Sequence, residues 1–214
     1  MKPEFDVVVV GAGVVGSALA CALRDSGWRI AVVDANSPPQ FSPEAEFDLR
    51  VFALSPGSRR ILDHLCIWES VRATRLQAYT SMYVWDATGR GRVRFDCTEV
   101  GEDALGYIVE NQLLQSALWQ RLANAANVSA VRPAMPQELS ITSDRVSLTL
   151  EDGRLLEARL LVAADGAASV VRRFAGMDTR HAAYGQQAVV AHVRTEKPHH
   201  ATAWQRFMPT GPIA

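Results

Sequence analysis

The sequence contains few cysteines and almost no net charge. Its three cysteines, Cys21, Cys66 and Cys97, lie far apart and include no CxxC pair. This spacing excludes a disulfide scaffold and the common zinc knuckles, and the histidines have no metal-binding spacing either, so no metal site is predicted. Lysine and arginine number 22 against 23 acidic residues, which gives a net charge of -1. Because there is no basic surplus, binding of nucleic acid by counterion release is excluded as a function.

Long hydrophobic segments are also absent. No run of 18 apolar residues occurs, so the sequence predicts no transmembrane helix. The N-terminal run FDVVVV (5–10) resembles the apolar core of a signal peptide, but no clean small-residue cleavage site follows it. We therefore expect a buried strand there and a cytoplasmic protein. A chain of 214 residues with 48% hydrophobic residues is sufficient for one large domain or two small ones.

The first part of the chain predicts a strand, a helix and a second strand. The β-branched run 5–10 is followed by the glycine pattern GAGVVG, a helical apolar stripe, and a second apolar strand at 30–33. A GxGxxG pattern in this setting is typical of a dinucleotide-binding unit. Gly11 permits a tight turn, Gly13 lets a pyrophosphate approach the backbone, and Gly16 lets the helix pack closely on the strand. The positive end of the helix would then stabilise the phosphate charge.

The second strand ends in an acid, Asp34, about twenty residues after the glycine pattern. A carboxylate at this position accepts hydrogen bonds from the hydroxyls of an adenosine ribose. It also disfavours a 2′-phosphate, so FAD or NAD is favoured over NADP. The alternative interpretation of the whole pattern is a tight turn that binds no ligand.

Hydrophobic spacing and turn residues predict further elements along the chain. These are a helix beginning at Ser55-Pro56, a hairpin around 88–91, an amphipathic helix over 113–122, a hairpin at Asp152-Gly153, a buried strand over 160–164, a helix over 169–175 and a strand over 189–193. Cys66 follows an apolar helix, and we expect its side chain to be buried.

A second candidate site follows the strand predicted at 160–164. Asp165 and Gly166 would lie at the carboxyl end of a parallel strand, which is the ligand side of an open α/β sheet. In the alternative interpretation, Asp165 or Ser169 only caps the helix that follows. The residues alone leave both interpretations open.

With these motifs in place, the chain resembles the FAD-dependent aromatic hydroxylases, and within them the branch that acts on ubiquinone precursors. The GxGxxG pattern and the DG segment are typical of the flavin hydroxylase superfamily, and the VEN…LQ.ALW stretch points to the ubiquinone branch. The matching segments are VVVVGAGVVGSALACAL at the start, LRVFALSPGSRRIL from Leu49, GYIVENQLLQSALW from Gly106, LLVAADGAASVVRR from Leu160 and TAWQRFMPTGPIA at the end.

The resemblance implies a role for several residues near the N-terminus. The three glycines of GAGVVG would hold the FAD pyrophosphate. Asp34 would bind the adenosine ribose, although it is shorter than the family's usual glutamate. Arg50 matches the family arginine beside the phosphate and ribityl chain of the flavin. The alternative for Arg50 is a surface ion pair with Asp48 or Glu46.

Further positions match later in the chain. Asn111 falls where relatives place a polar or basic residue near the ribityl chain, and its alternative is a helix N-cap before Gln112. Asp165 and Gly166 match the DG fingerprint, which the family associates with both FAD and the pyridine nucleotide. Arg172 either supports that motif or is a solvated helix residue. No catalytic residue is identified.

The resemblance also implies a reaction and its participants. The family hydroxylates aromatic rings with FAD and O₂ through a flavin C4a-hydroperoxide. For this branch the substrate is a polyprenylated phenol or quinol of ubiquinone biosynthesis, with NAD(P)H as the electron donor. Because a prenyl tail partitions into lipid, we expect peripheral contact with the inner membrane, and we expect contacts with other ubiquinone-biosynthesis enzymes.

The implied fold is α/β. It has two parts. The first is a Rossmann-like FAD-binding domain, a parallel sheet with βαβ units, which is formed by 1–78 and 100–178. The second is part of a β-rich substrate domain, which is formed by 79–99 and 179–214. The family's second FAD segment, a downstream Gly-Asp motif, has no match. The resemblance therefore implies a truncated chain, and we expect the isolated 214-residue fragment to be inactive and to hold FAD weakly.

Three other functions remain open from the sequence. A soluble aromatic hydroxylase of a small phenol would share every motif. An NAD-dependent dehydrogenase would use the same glycine pattern, although the DG segment speaks against it. A non-catalytic nucleotide-binding protein would need neither the second FAD segment nor a substrate.

Overall fold

The computed structural model describes residues 3–214. In chain order the elements are β1 (Phe5–Val10), α1 (Val14–Leu23), β2 (Ile30–Val33), β3 (Val51–Leu54), α2 (Pro56–His64), α3 (Trp68–Thr74), β4 (Gln77–Tyr79), β5 (Ser81–Asp86), β6 (Arg92–Asp96), a 3-10 helix (Cys97–Val100), β7 (Gly106–Glu110), α4 (Asn111–Ala123), β8 (Val128–Val131), β9 (Pro136–Ile141), β10 (Val146–Leu150), β11 (Leu155–Ala163), α5 (Val170–Phe174), β12 (Thr202–Met208) and β13 (Gly211–Ile213).

The chain divides into two compact units. The first contains the residues up to Phe41 together with Leu114–Gln187, and the second contains Ser42–Leu113 and Ala188–Ala214. These bounds differ from those predicted for the cofactor and substrate domains, and the predicted division stays a prediction.

A six-stranded sheet forms the centre of the first unit. Its order is β8-β2-β1-β11-β10-β9. The first four strands pair in parallel, and β10 and β9 extend the sheet as an antiparallel hairpin. Because β1 lies between two parallel neighbours, the carboxyl ends of β2, β1 and β11 meet at one edge, where ligands bind in open α/β sheets. The predicted α/β fold is thereby confirmed.

Both faces of the central strand β1 are covered, which explains its unbroken apolar run. Val8 and Val10 pack into a core with Leu148, Leu156 and Val171. Val7 and Val9, which alternate with them, are equally buried, and helix α1 contacts this strand. The Cys21 thiol on α1 reaches the carbonyl of Leu118 on α4 at 3.5 Å, and burial raises the pKa of this thiol to about 11.

The second unit contains two small sheets. One has the order β3-β7-β4 and is antiparallel; the other has the order β13-β12-β5-β6. Ser55 caps α2 by accepting the N–H of Ser58 at 3.2 Å, with Pro56 as the first helical residue, so the predicted helix start is confirmed. The hairpin predicted around 88–91 is formed by β5 and β6.

Two further predictions hold, and one holds only in part. The helix over 113–122 lies within α4, and the Asp152-Gly153 turn joins β10 to β11. The strand predicted over 160–164 is part of β11, but Leu160 is 53% exposed, so it is not buried as expected. Leu160 lines an open cavity of about 580 Å³ together with residues of β9, β11 and α5, which accounts for its exposure.

The strand predicted over 189–193 is wrong. Within the described residues, 177–199 contain no helix or strand, and the Val189 side chain is 93% exposed. Alternating apolar residues favour a strand, but the strand exists only where a neighbour supplies the hydrogen-bond ladder.

The expected burial of Cys66 is also wrong. Cys66 is exposed and has a φ of 58°, in the left-handed region. Its N–H donates to the carbonyl of Asp63 and the N–H of Ile67 donates to that of Leu62, a Schellman motif that ends α2. Cys66 thus occupies the position that glycine usually takes, which turns its side chain outward.

Candidate functional site

The loops after β1, β2 and β11 join at the carboxyl edge of the parallel strands. The N–H of Gly11 donates to the carbonyl of Val33 at 2.7 Å, and the N–H of Ala164 donates to that of Val10 at 2.7 Å. The residues predicted as a nucleotide site, the glycine pattern, Asp34 and Asp165, therefore surround one edge of one sheet.

Gly11 and Gly16 are required by the local backbone. Gly11 has a φ of 102°, and a Cβ there would lie 2.3 Å from the carbonyl oxygen of Ala164. A Cβ on Gly16 would lie 1.9 Å from the carbonyl oxygen of Gly11. Only glycine lets α1 start this close to the end of β1, as the sequence pattern predicts.

Gly13 differs from its two neighbours, because nothing in the fold requires it. A Cβ there would meet only the Gln115 amide nitrogen, at 3.9 Å, and the backbone has an ordinary extended conformation. Gly13 is the N-cap of α1, no side chain caps this helix, and its first turn contains no acid. The helix end therefore presents N–H groups beside a residue that has no side chain, which is the geometry that a pyrophosphate needs.

Asp34 lies directly beside this surface. One carboxylate oxygen accepts the N–H of Ala12 at 2.6 Å, and the other accepts the N–H of Asn36 at 2.8 Å. The Asn36 side-chain amide also donates to Oδ1, at 3.4 Å. A carboxylate has about four acceptor positions, so these three protein bonds still leave capacity for binding a ribose. Arg132 lies close by, where its Nε donates to the carbonyl of Asn36 at 2.8 Å and its guanidinium stacks on Trp119. Arg132 is not among the residues predicted from the sequence.

Asp165 and Ser169 both cap α5. One carboxylate oxygen of Asp165 accepts the N–H groups of Val170 and Val171, and Ser169 accepts the N–H of Arg172. Burial raises the pKa of the Asp165 carboxyl, but hydrogen bonds from Ser169 and from these two backbone N–H groups outweigh that effect and hold its pKa below the usual value. The capping interpretation therefore describes a real contact.

Capping does not account for the whole Asp165 side chain. Its second oxygen, Oδ1, is buried and has no hydrogen-bond partner within the described residues. Such an atom is costly unless water or a ligand pairs with it. Gly166 follows with a φ of 83° and open space around its α-carbon, so its backbone is not covered by a side chain of its own at the same edge.

Arg50 and Asn111, the remaining predicted residues, are adjacent in the second unit. The N–H of Asn111 donates to the carbonyl of Arg50 at 2.9 Å. Within the described residues, the Arg50 guanidinium forms no ion pair with Asp48 or Glu46; it lies over the ring of Phe52, 5.6 Å from its centroid.

The cap at the start of α4 comes from Asp48. Its carboxylate accepts the N–H of Gln112 at 3.1 Å, whereas Asn111 is itself the first helical residue and is buried. The alternative roles considered for Arg50 and Asn111 are therefore not the contacts that these two residues make.

Sequence reasoning missed a buried ion pair in the same unit, between Arg75 and Glu110. Glu110 belongs to the VEN stretch, but no function was assigned to it. The available signal was a charge at the end of the apolar strand GYIVE, because a buried carboxylate requires a partner.

Comparison with known proteins agrees with this geometry. Residues 4–208 match a family model described as an FAD binding domain. Over 209 residues, or 98% of its length, the chain is 34% identical to 3-demethoxyubiquinol 3-hydroxylase of Escherichia coli, of which it covers 53%. It is 36% identical to the ubiquinone hydroxylase UbiL of Rhodospirillum rubrum, again over 98% of the chain and covering 48% of that protein.

The fold also matches that of solved proteins. One is PqsL, a probable FAD-dependent monooxygenase from Pseudomonas aeruginosa, with a TM-score of 0.69 and 23% identity over 84% of this chain and 48% of that one. The chain spans about half the length of the curated relatives it matches. Because the family match extends over nearly all of its residues and the glycine turn has the required geometry, the chain belongs to the FAD-binding domain family.

Proposed function

We propose that this chain is the FAD-binding part of a monooxygenase that hydroxylates a polyprenylated phenol or quinol in ubiquinone biosynthesis. The observation that carries the proposal is the contrast between the glycines. Gly11 and Gly16 are packed against backbone, while Gly13 faces open space at an uncapped helix end. The names of the ubiquinone-biosynthesis relatives support the substrate class.

Each predicted residue has a proposed task toward FAD. The backbone at Gly13 and the first turn of α1 bind the pyrophosphate, and Asp34 accepts the hydroxyls of the adenosine ribose. In the first unit, Asp165 and Gly166 supply an acceptor and an open stretch of backbone. In the second unit, Arg50 and Asn111 contribute a cation and an amide, which suit the phosphate and ribityl hydroxyls of the cofactor.

When bound, the flavin carries electrons to O₂ and makes one oxygen atom available to the aromatic ring. The chain's own residues bind and orient the cofactor. We assign the role of electron donor to NAD(P)H. No residue of this chain is assigned a proton transfer.

The prenyl tail of the proposed substrate partitions into lipid, so the location of the substrate bears on where the protein acts. Among residues 3–214, no helix combines the length and apolarity needed to span a bilayer. We propose peripheral contact with the cytoplasmic face of the inner membrane, where a polyprenylated substrate resides, together with contacts to other ubiquinone-biosynthesis enzymes.

The test uses the native protein, purified with its cofactor. We expect a yellow protein that releases FAD on denaturation, consumes NAD(P)H and O₂, and inserts one oxygen atom from ¹⁸O₂ into a prenylated phenol. Turnover of a small phenol with no preference for the prenyl tail would favour a soluble aromatic hydroxylase. A colourless protein that binds NAD would contradict the proposal and favour a dehydrogenase.

A further inference from the structure

A single buried ion pair holds the loop that precedes Arg50. Arg75 Nε lies 2.6 Å from Glu110 Oε1, and Arg75 Nη2 lies 3.0 Å from Glu110 Oε2, so the two planar groups form a two-pronged contact. The side chains are 19% and 6% exposed. A guanidinium in this geometry is strongly directional, which fixes orientation as well as distance.

The rest of the guanidinium is bound to the loop itself. Arg75 Nη1 donates to the carbonyls of Pro43 and Ala45, at 3.2 and 2.9 Å. The Arg75 Cζ also lies 4.5 Å from the centroid of the Phe47 ring, within cation–π range. Three residues of an otherwise irregular, acid-rich loop are therefore held by one side chain.

The contacts continue from the ion pair to Arg50. Glu110 Oε2 accepts the N–H of Asp48 at 2.6 Å, and Asp48 Oδ1 accepts the N–H of Arg50 at 3.0 Å. The other Asp48 oxygen caps α4 at Gln112, and the carbonyl of Arg50 accepts from Asn111. Both backbone polar groups of Arg50 are thus fixed, and the chain of contacts begins at Glu110.

We propose that the Arg75–Glu110 pair is a positioning device, which sets Arg50 for the cofactor. This inference rests on the proposed function, because it assigns Arg50 to FAD. Burying two charges contributes little net stability against an apolar alternative, so a pair of this kind is better explained by the geometry it imposes. A misplacement of about 1 Å at a binding group is sufficient to cost a large factor in affinity or rate.

The test measures the FAD dissociation constant of the native protein, by flavin fluorescence after removal and return of the cofactor. We expect Glu110→Gln to weaken FAD binding about tenfold, or ~1.4 kcal/mol. In an Arg50→Ala background, the same substitution should change the constant by less than about twofold, because the residue through which it acts is gone. Hydrogen exchange should show lost protection at the amides of Asp48 and Arg50.

Controls separate positioning from general destabilisation. Glu69→Gln removes a charge from the exposed Arg72–Glu69 pair in the same unit and should leave FAD binding unchanged. If Glu110→Gln unfolds, Asp48→Ala replaces it, because this substitution removes the carboxylate that binds the N–H groups of Arg50 and Gln112 and leaves the Arg75–Glu110 pair intact. Glu46→Ala is the control for it in the same loop. Asp48→Ala should show the same dependence on Arg50.

Several outcomes would overturn the inference. One is unchanged FAD affinity in a folded Glu110→Gln protein. Another is that Glu110→Gln weakens FAD binding by the same factor in the Arg50→Ala background as in the parent, which would indicate a general structural role for the ion pair. If Arg50→Ala alone has no effect, the assignment of Arg50 fails together with the inference, while FAD binding at the glycine turn stands and is tested separately by Gly13→Ala.

Discussion

Substituting alanine for Gly13 and for Gly16 should separate cofactor binding from folding. A Cβ on Gly13 meets only one flexible side-chain atom, at 3.9 Å. A Cβ on Gly16 overlaps the carbonyl oxygen of Gly11 at 1.9 Å and lies 3.2 Å from the Cβ of Ala164. The same chemical change therefore enters open space in one case and a packed backbone in the other.

The expected magnitudes follow from these distances. Gly13 has a φ of −66°, which alanine adopts freely, so Gly13→Ala should change the free energy of unfolding by no more than about 1 kcal/mol in either direction. Gly16→Ala forces α1 away from β1, and because overpacking against backbone is not relieved by a side-chain rotation, we expect a loss of ~3 kcal/mol or more. For a domain of this size, that corresponds to a fall in Tm of roughly 6–12 °C.

The assay combines thermal unfolding by circular dichroism with an FAD titration. Gly13→Ala should keep its Tm within about 4 °C of the parent and lose at least tenfold in FAD affinity, because the new methyl group occupies the surface proposed for the pyrophosphate. Gly16→Ala should lose both stability and FAD. Parent-like FAD affinity in Gly13→Ala would refute the pyrophosphate assignment, and a parent-like Tm in Gly16→Ala would refute the packing argument.

Three further predictions concern stability and reactivity. Cys66→Gly should raise the free energy of unfolding by about 1 kcal/mol in urea titrations, because glycine removes the strain of a left-handed residue at the end of α2; no gain would contradict the assigned cap. The lowered pKa of Asp165 means that its carboxylate stabilises the native state above its unfolded pKa, about pH 4, and that this contribution disappears as the pH falls through the folded value. The urea concentration at the midpoint of unfolding should therefore fall less on acidification in Asp165→Asn than in the parent. An equal fall in the two proteins would contradict this. Iodoacetamide at neutral pH should label exposed Cys66 before buried Cys21, whose thiol has a pKa of about 11, as followed by peptide mass spectrometry; equal rates would contradict the described burial.

The predictable features of this fold are those set by neighbours in sequence. The run at 5–10 needs only its own composition to indicate a strand covered on both faces, and GAGVVG indicates the turn through the missing side chains of Gly11 and Gly16. Ser55 followed by Pro56 indicates a helix start for the same reason, since a hydroxyl and a fixed φ act locally. The structure confirms each of these.

The features that escaped prediction depend on partners distant in the chain. Residues 189–193 alternate like a strand, but no local signal tells whether another strand will pair with them. Arg75 and Glu110 are 35 residues apart, and nothing near either residue identifies the other. In the candidate site, accordingly, the sequence predicts which residues contact a cofactor, and that stays a prediction, but it does not identify the contacts that hold those residues in place. The contacts that fix Arg50 begin at a carboxylate placed at the end of an apolar strand, and a buried charge of this kind is the most useful sign in a sequence that an unseen partner exists.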